Sequence, residues 1–262
     1  MIKRDESRGV CMNVIYTNDD GIDAPGIRAL VGNVPPGVKA IVVAPANERS
    51  ACSHSISLGQ KLRIEEFTVN GIEHYKVHGT PADCIKFAVS ELKYFSPDLV
   101  VSGVNQGANT GISVYYSGTI SAAREAVINH IPAAAFSLCS RVIDDFGPSV
   151  KIAAQLMEGF AAKVFPSQSL VSVNIPPIPY HKIKGIKITK QAASRFVEEF
   201  VKEKEHDGKR VYSLAGEIEL YDTDGTSDEE AVMNGYVSVT PLRLDVTDYQ
   251  AIRYFEDWLK RV

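Results

Sequence analysis

The sequence predicts an α/β fold built around a mostly parallel β-sheet, and three observations carry that prediction. Short apolar runs of the kind found in buried parallel strands recur along the first two thirds of the chain. Segments with helical periodicity separate these runs, so strands and helices alternate. Several runs stop abruptly at a polar loop, and in open parallel sheets ligands bind beyond such strand ends.

The first predicted unit is a strand, a helix and a second strand. Residues 12–16 form a short apolar run that ends in a polar loop, and Pro25 suits the first turn of a helix. A second apolar run covers 40–44 and is closed by Pro45. A right-handed crossover is expected for this order of elements.

An inserted hairpin is predicted next, because Asn70 and Gly71 join two alternating apolar runs within 62–77. Thr80 is then expected to cap a helix that begins at Pro81. The remaining core elements are predicted as strands at 99–104, 133–138 and 170–175 and helices at 121–129 and 150–164.

The tail after about residue 177 is more charged than the core. Residues 236–244 alternate like a strand, and Pro241 indicates an edge position. Thr247 and Gln250 have the spacing of a capping box, in which each side chain binds the other residue's amide. An apolar stripe with helical spacing follows and needs cover from either its own domain or a partner: Tyr249, Ile252, Phe255 and Leu259, with Trp258 beside them.

This pattern divides the chain into three segments. Residues 1–11 are an N-terminal extension that is expected to be disordered. Residues 12–177 form the core that carries the candidate site. Residues 178–262 form a C-terminal part with a hairpin or strand and a terminal helix.

Composition limits the classes of function. With 262 residues, 45% of them hydrophobic, the chain can bury a sizeable core, while its net charge of −4 provides no basic field for a nucleic-acid duplex. No apolar run is long enough to span a bilayer, and the polar start is unlike a signal peptide, so we expect no membrane partner. Four cysteines without Cys-x-x-Cys spacing favour reduced thiols and a cytoplasmic location.

Polar side chains follow three of the predicted strands. Asp19 and Asp20 follow the first strand, residues 47–50 follow the second, and Asn105 follows the strand at 99–104. Oxygen ligands that meet at one sheet edge suit a hard divalent cation such as Mg²⁺ or Mn²⁺. A cation also offsets the repulsion between adjacent carboxylates. The alternative for the acid pair on its own is a plain turn, since Asp and Gly favour turns.

A second candidate feature precedes an alanine-rich helix. Ser117, Gly118 and Thr119 combine hydroxyl donors with the free amides of a helix N-terminus, which bind phosphate without a basic residue. The alternative is an ordinary N-cap. Arg49 is a candidate for charge stabilisation of a phosphoryl group, and otherwise a surface side chain.

Signatures of other enzyme classes are missing. No Gly-x-Gly-x-x-Gly follows the first strand, which disfavours a dinucleotide dehydrogenase, and there is no Gly-x-Ser-x-Gly nucleophile elbow. His74 and His78 have a spacing that suits zinc only on a helix, and they fall in the hairpin region, so we assign them no metal.

Groups of residues in a fixed order resemble one known family. They are TNDDGIDAPGI at 17–27, VAP at 43–45 with RS at 49–50 and SHSI at 53–56, GTPADC at 79–84, PDLVVSGVNQG at 97–107, YSGTISAA at 116–123 and GYVSVTPL at 235–242. The family that they resemble is SurE, the stationary-phase survival protein and nucleoside 5′-monophosphate phosphohydrolase. The likeness runs from about Met12 almost to the end of the chain.

The resemblance implies a three-layer Rossmann-like core and one divalent metal ion per subunit, Mg²⁺ or Mn²⁺. The implied metal ligands are Asp19, Asp20, Ser50 and Asn105, which stand at the matching motif positions. The resemblance also implies a homodimer or homotetramer in which the C-terminal extension crosses to a neighbouring subunit.

The implied reaction is 5′-nucleotidase hydrolysis of an acid-phosphatase-like type, with 3′-monophosphates and short polyphosphate as further candidate substrates. We assign the catalytic roles to Asp19, Asp20 and Asn105. The predicted substrate- and phosphate-binding residues lie in the same motifs: Asn18, Ser50, Gly107, Ser117, Gly118 and Thr119.

Two other interpretations are compatible with the sequence. Asp19 can attack phosphorus directly and form an aspartyl phosphate. Alternatively, the chain is a regulator that binds nucleotides without turning them over. The chain also departs from the family pattern at Ala46, where Asp is common, and at Ala51, where Gly is common. These departures bear on loop shape and substrate preference.

Overall fold

The structure is a computed structural model that describes residues 12–142, 145–162, 165–166, 168–203, 208, 210–221 and 224–262. The predicted extension at 1–11 lies outside the described residues, as does the predicted end of a helix at Val164. In the part of the chain that is described, no helix is long and apolar enough to cross a membrane.

Strands and helices alternate through the core as predicted. The strands are β1 (Met12–Thr17), β2 (Val38–Pro45), β3 (Ile64–Val69), β4 (Ile72–Val77), β5 (Leu99–Gln106), β6 (Ala133–Leu138), β7 (Leu170–Ile175), β8 (Ile186–Ile188), β9 (Ser194–Lys202), β10 (Tyr212–Leu220) and β11 (Val237–Leu242). The α-helices are α1 (Pro25–Val31), α2 (Pro81–Glu91), α3 (Gly118–Ile128), α4 (Gly147–Ala161), α5 (Asp228–Met233) and α6 (Ile252–Leu259).

A nine-stranded sheet forms the centre of the molecule, in the order β3-β4-β2-β1-β5-β6-β7-β11-β8. The neighbours from β4 to β7 pair in parallel, β3 is antiparallel to β4, and β11 is antiparallel to β7. A separate two-stranded antiparallel sheet consists of β9 and β10. The prediction of an α/β fold with a mostly parallel sheet is confirmed.

Helices cover both faces of this sheet and so make three layers. Successive residues of β1 point to opposite faces, as the period of a strand requires: Val14 belongs to one core cluster and Ile15 to the other. The first cluster contains residues of α1 and α4, and the second contains residues of α2 and α3. With helices on both faces, the exposed carboxyl edge of the sheet remains the place where polar loops collect.

The predicted hairpin and helix cap are confirmed. Asn70 and Gly71, with φ of +50° and +80°, form the tight turn between β3 and β4. The Thr80 hydroxyl accepts a hydrogen bond from the Asp83 amide at 3.1 Å, and the Asp83 carboxylate accepts one from the Thr80 amide at 2.8 Å. This reciprocal pair fixes the start of α2.

The tail contributes two strands to the central sheet. The prediction that Pro241 marks an edge strand is wrong for β11 as a whole, because β11 lies between β7 and β8. β8 is short, however, and its last pair with β11 is Ile188 with Val239. Pro241 lies beyond that pair and is paired only with Val171 of β7. Proline has no amide hydrogen to donate, and at this position no β8 residue requires one.

The predicted capping box at Thr247 and Gln250 is wrong. The Thr247 amide donates to Asp245 Oδ1 at 2.9 Å, and the Gln250 amide donates to Asp248 Oδ1 at 2.9 Å. Aspartate side chains commonly take such nearby amides, and here they replace the two bonds of the box. α6 therefore begins later, at Ile252, without a side-chain cap.

Candidate active site at the carboxyl edge of the sheet

The loop after β1 turns sharply and places two carboxylates at the carboxyl edge of the sheet. Gly21 has φ +104°, a backbone conformation that favours glycine. Asn18 donates from Nδ2 to the Gly21 carbonyl oxygen at 2.8 Å, and the Ile22 amide donates to the Pro45 carbonyl oxygen at 2.8 Å. The acid pair therefore does lie in a turn, and that turn is bonded to the end of β2.

Asp19 is buried, with 4% of its surface exposed. Its Oδ1 accepts a hydrogen bond from Thr119 Oγ1 at 2.5 Å, and its backbone oxygen accepts one from the Arg49 amide at 2.7 Å. Burial raises the pKa of Asp19, although the bond from the Thr119 hydroxyl acts in the opposite direction. Three segments meet at this residue: the loop after β1, the loop after β2 and the start of α3.

Asp20 carries a buried oxygen without a partner. Burial, followed by the charge of Asp19, raises the pKa of Asp20 to about 7, against the effect of a backbone hydrogen bond from Gln106. Among the described residues, no group forms a hydrogen bond with Asp20 Oδ2 or with Asn18 Oδ1. Buried polar atoms are normally paired, so these two oxygens mark a place for a ligand.

Asn105 lies within β5, one residue before the end of that strand. Its Nδ2 donates to the Gly107 carbonyl oxygen at 2.8 Å, which leaves the side-chain oxygen as the atom available to a ligand. The Gly107 amide donates to the Leu138 carbonyl oxygen at 2.9 Å. That amide is therefore engaged with β6 and does not serve as a phosphate donor in this arrangement.

The start of α3 offers fewer phosphate donors than the sequence predicts. Ser117 Oγ accepts from the Ile120 amide at 3.0 Å, so Ser117 is an N-cap, and its hydroxyl hydrogen is still able to donate. The Thr119 hydroxyl hydrogen goes to Asp19 instead. The donors that remain for an anion are the Ser117 hydroxyl and the Gly118 amide, the first amide of the helix.

The Ser50 side chain binds a neighbouring carboxylate in its own loop. Its side chain is exposed, and its hydroxyl donates to Glu48 Oε1 at 2.5 Å. Glu48 was absent from the predicted set. After the effect of burial, its charge contributes to raising the pKa of both Asp19 and Asp20. The sequence signal for Glu48 was its place in the polar segment 47–50 that follows the second strand.

Comparison with known protein families decides the membership of the chain. The family described as Survival protein SurE matches residues 14–198, which is more than half of the sequence.

The chain belongs to the SurE family.

Individual relatives support the same assignment, and the predicted resemblance is confirmed. A 5′-nucleotidase SurE from Chlorobium chlorochromatii is 40% identical, with 96% of this chain and 93% of that protein covered. A 5′-nucleotidase SurE from Nostoc sp. is 41% identical, with 94% and 98% covered. The crystal structure of the SurE protein from Aquifex aeolicus matches with a TM-score of 0.79 at 34% identity, covering 95% of this chain and 99% of that one.

The donor set of this SurE chain fits a hard divalent cation. The buried carboxylate of Asp19 lies next to Asp20, whose buried Oδ2 has no partner among the described residues, and the side-chain oxygen of Asn105 lies near the end of the neighbouring strand β5. Within the described ranges, no three His, Cys, Asp or Glu side chains are grouped to hold a metal ion. A cation at Asp19 and Asp20 would therefore take neutral oxygens and water as its other ligands, as Mg²⁺ often does.

We expect that glycine at position 118 cannot be replaced by a residue with a side chain. A Cβ at this position would lie 2.7 Å from Asp19 Cβ and 2.8 Å from Asp19 Oδ2. Gly118→Ala should displace Asp19 and lower kcat/KM for a phosphate monoester by about 10–100-fold, the usual effect of disturbing groups that orient metal ligands.

Gly147→Ala is the matched control for Gly118→Ala. It puts the same change at the first residue of α4, where the new Cβ meets only the carboxylate end of Asp145. Both proteins should show wild-type circular dichroism, and only Gly118→Ala should lose activity. Equal activities of the two folded variants would contradict the packing of Gly118 on Asp19 as a requirement of the site.

Proposed function

We propose that the chain hydrolyses nucleoside 5′-monophosphates to nucleoside and phosphate, with one Mg²⁺ or Mn²⁺ ion per subunit at Asp19 and Asp20. The observation that carries this proposal is the unpartnered buried oxygen of Asp20 beside a second buried carboxylate, at the carboxyl edge of a parallel sheet. The names of the SurE relatives, 5′-nucleotidases, support the reaction class. A phosphatase-type hydrolase is therefore the function that the site supports best.

Each residue of the site has a distinct task in this scheme. Asp19, Asp20 and Asn105 would hold the cation, with Ser50 as a fourth ligand once its hydroxyl rotates away from Glu48, and Thr119 fixes the orientation of Asp19. A bound divalent cation supplies Lewis-acid polarisation of the phosphoryl oxygen and lowers the pKa of water. One of the two carboxylates, Asp19 or Asp20, would accept the proton of the attacking water. The second Nδ2 hydrogen of Asn18, the Ser117 hydroxyl and the Gly118 amide would orient the phosphate oxygens.

A substrate panel tests the proposed reaction. Metal-free protein is given nucleoside 5′-monophosphates, 3′-monophosphates and short polyphosphate, with and without Mn²⁺ or Mg²⁺, and released phosphate is measured. We expect release to require the cation and to be fastest with a 5′-monophosphate. Binding of nucleotides without phosphate release under every condition would refute the proposal and favour the regulator.

The aspartyl-phosphate mechanism receives less support from the site. Asp19 Oδ1 already accepts a hydrogen bond from the Thr119 hydroxyl, and in the proposed scheme the Asp19 carboxylate is also engaged with the cation. A nucleophile needs an oxygen with open access to phosphorus. Trapping of a phosphorylated Asp19 in quenched reactions would nevertheless establish that mechanism.

We also propose a homodimer or homotetramer that uses the C-terminal extension. None of the eight residues of α6 is buried, and its apolar side chains Ile252, Phe255, Trp258 and Leu259 are exposed. An exposed apolar stripe of this kind marks an interaction surface. Sedimentation equilibrium should give a mass of two or four chains, and Phe255→Ser with Trp258→Ser should lower it. The cytoplasmic location remains a prediction from the sequence.

A further inference from the structure

Glu125 is a buried carboxylate that the proposed chemistry does not use. It is 2% exposed and lies seven residues, or about two helical turns, beyond Gly118 in α3. Its Oε2 meets His54 Nε2 at 2.9 Å, and its Oε1 meets Lys86 Nζ at 2.8 Å and accepts a hydrogen bond from Asn129 Nδ2 at 3.0 Å. Burial alone raises the pKa of Glu125, but the hydrogen bonds from His54 and Lys86 outweigh it and hold that pKa below its ordinary value. The residue is therefore a charged, buried anchor for two other elements.

One of those elements is the Ser50 loop, defined here as residues 46–57. No residue of this loop is buried, so the loop has no apolar core of its own to fix its shape. Ala51 and Ser53 nevertheless have φ of +54° and +55°, which is unfavourable for residues other than glycine. Such conformations persist when surrounding contacts impose them.

The contacts that impose this shape lie on both sides of Ser50. Before it, the Arg49 amide donates to the backbone oxygen of Asp19 at 2.7 Å. After it, the Ser53 amide donates to the Tyr116 carbonyl oxygen at 3.0 Å, and the Ser53 hydroxyl donates to the Tyr115 carbonyl oxygen at 2.7 Å. The His54 side chain then reaches the buried Glu125, and at the end of the loop the Ser57 amide and hydroxyl donate to the Asp83 carboxylate at 3.0 and 2.7 Å.

We infer that the hydrogen bond between His54 and Glu125 is a positioning contact that holds the Ser50 loop against the Asp19–Asp20 pair. This inference rests on the proposed function, because it gives Ser50 a place in the cation site. Neither residue touches the reacting atoms in this scheme. Partners that orient metal ligands from outside usually change metal affinity or activity by about 10–100-fold when they are removed.

Lys86 provides a matched control for this inference. It binds the other oxygen of the same carboxylate, but it belongs to α2 and lies outside the Ser50 loop. If Glu125 matters only because a buried charge needs partners, loss of Lys86 and loss of His54 should change the Mn²⁺ Kd to a similar extent, with Asn129 remaining on Oε1 in both variants. If the bond positions the loop, only the loss of His54 should affect the cation site.

The experiment compares wild type, His54→Ala, His54→Gln and Lys86→Ala as full-length proteins. Calorimetry measures the Kd for Mn²⁺ alone, kinetics give kcat and KM for a nucleoside 5′-monophosphate, and circular dichroism checks folding. We expect His54→Ala to weaken Mn²⁺ binding and lower kcat/KM by about 10–100-fold. The amide nitrogen of Gln can still reach Glu125. For His54→Gln, both the Kd for Mn²⁺ and kcat/KM should therefore stay within about threefold of the wild-type values. Lys86→Ala should lower the melting temperature but keep the wild-type Kd.

Three results would overturn the inference. The first is a wild-type Kd for Mn²⁺ in His54→Ala. The second is a His54→Gln variant that binds Mn²⁺ as weakly as His54→Ala. The third is a Lys86→Ala variant that loses as much Mn²⁺ affinity as His54→Ala. Failure of the proposed function has a different signature, because it appears in the wild type as Mn²⁺ binding without phosphate release. The Kd ratios still report on the loop in that case.

Discussion

Replacing Asp20 by Asn is expected to lower kcat for a nucleoside 5′-monophosphate by about three orders of magnitude, within the range for loss of a proton acceptor or metal ligand. The substitution keeps the shape of the side chain but removes its charge and its basic oxygen. The buried, unpartnered Oδ2 is the atom that the proposed reaction depends on. Phosphate release under saturating substrate, with Mn²⁺ present, measures the effect.

Asp23→Asn is the control for this experiment. Asp23 lies three residues further on in the same loop, but it is exposed and pairs with Arg28 at 3.2 Å and Lys76 at 3.0 Å. Exposed ion pairs contribute little to the stability of the fold, so replacing Asp23 should leave the loop in place and change kcat by less than about twofold. Full Mn²⁺-dependent turnover in Asp20→Asn would show that Asp20 is not part of the reaction.

The metal-free protein is expected to lose stability as the pH rises from about 4 to about 7. Burial, then the charge of Asp19, raises the pKa of Asp20 from 3.8 to about 7, and burial raises that of Asp19. Between the unfolded and folded pKa values, the folded state holds more protons than the unfolded state. The free energy of unfolding must then fall with increasing pH, and the loss is complete above the folded pKa.

Thermal unfolding of wild type and Asp20→Asn across this range tests the pH dependence. The melting temperature of wild type should fall more steeply than that of Asp20→Asn, which lacks the titrating group. Mn²⁺ should raise the wild-type melting temperature more at pH 8 than at pH 5, because the cation binds the charged carboxylates. If the melting temperatures of the two proteins changed with pH in the same way, the pKa of Asp20 would not be raised in the metal-free fold.

Much of the architecture could be predicted because local signals and the global fold agree. The apolar runs that end at Thr17 and Gln106 are buried parallel strands, and the sheet order brings β1 and β5 together as neighbours. That adjacency is why Asp20 and the backbone of Gln106 meet. The strand ends alone therefore predict that the acid pair and Asn105 lie at the same edge of the sheet.

The contacts between side chains could not be predicted in the same way. His54 and Glu125 are 71 residues apart, and Thr119 is 100 residues from Asp19, so their pairing depends on how helices pack on the sheet. The Thr119 hydroxyl was predicted to hold phosphate, yet it donates to Asp19. Residue type indicates that a group can donate, whereas the folded geometry decides which acceptor receives the bond.

The tail had weaker local signals for a physical reason. The hairpin of β9 and β10 exposes apolar side chains such as Phe200 and Leu214, so it has no single buried face to give a clear pattern. α6 has the expected apolar stripe, but competition from Asp245 and Asp248 moved its start. Elements that require a partner for their burial are the hardest to assign from one chain.

The central claim is that Asp19 and Asp20 form a divalent-cation site, and a calorimetric titration of metal-free protein with Mn²⁺ tests it most directly. The account predicts one bound ion per chain in the wild type, and no binding at this site in the double variant Asp19→Asn with Asp20→Asn. Unchanged Mn²⁺ binding in the folded double variant, or no binding in the wild type, would contradict it.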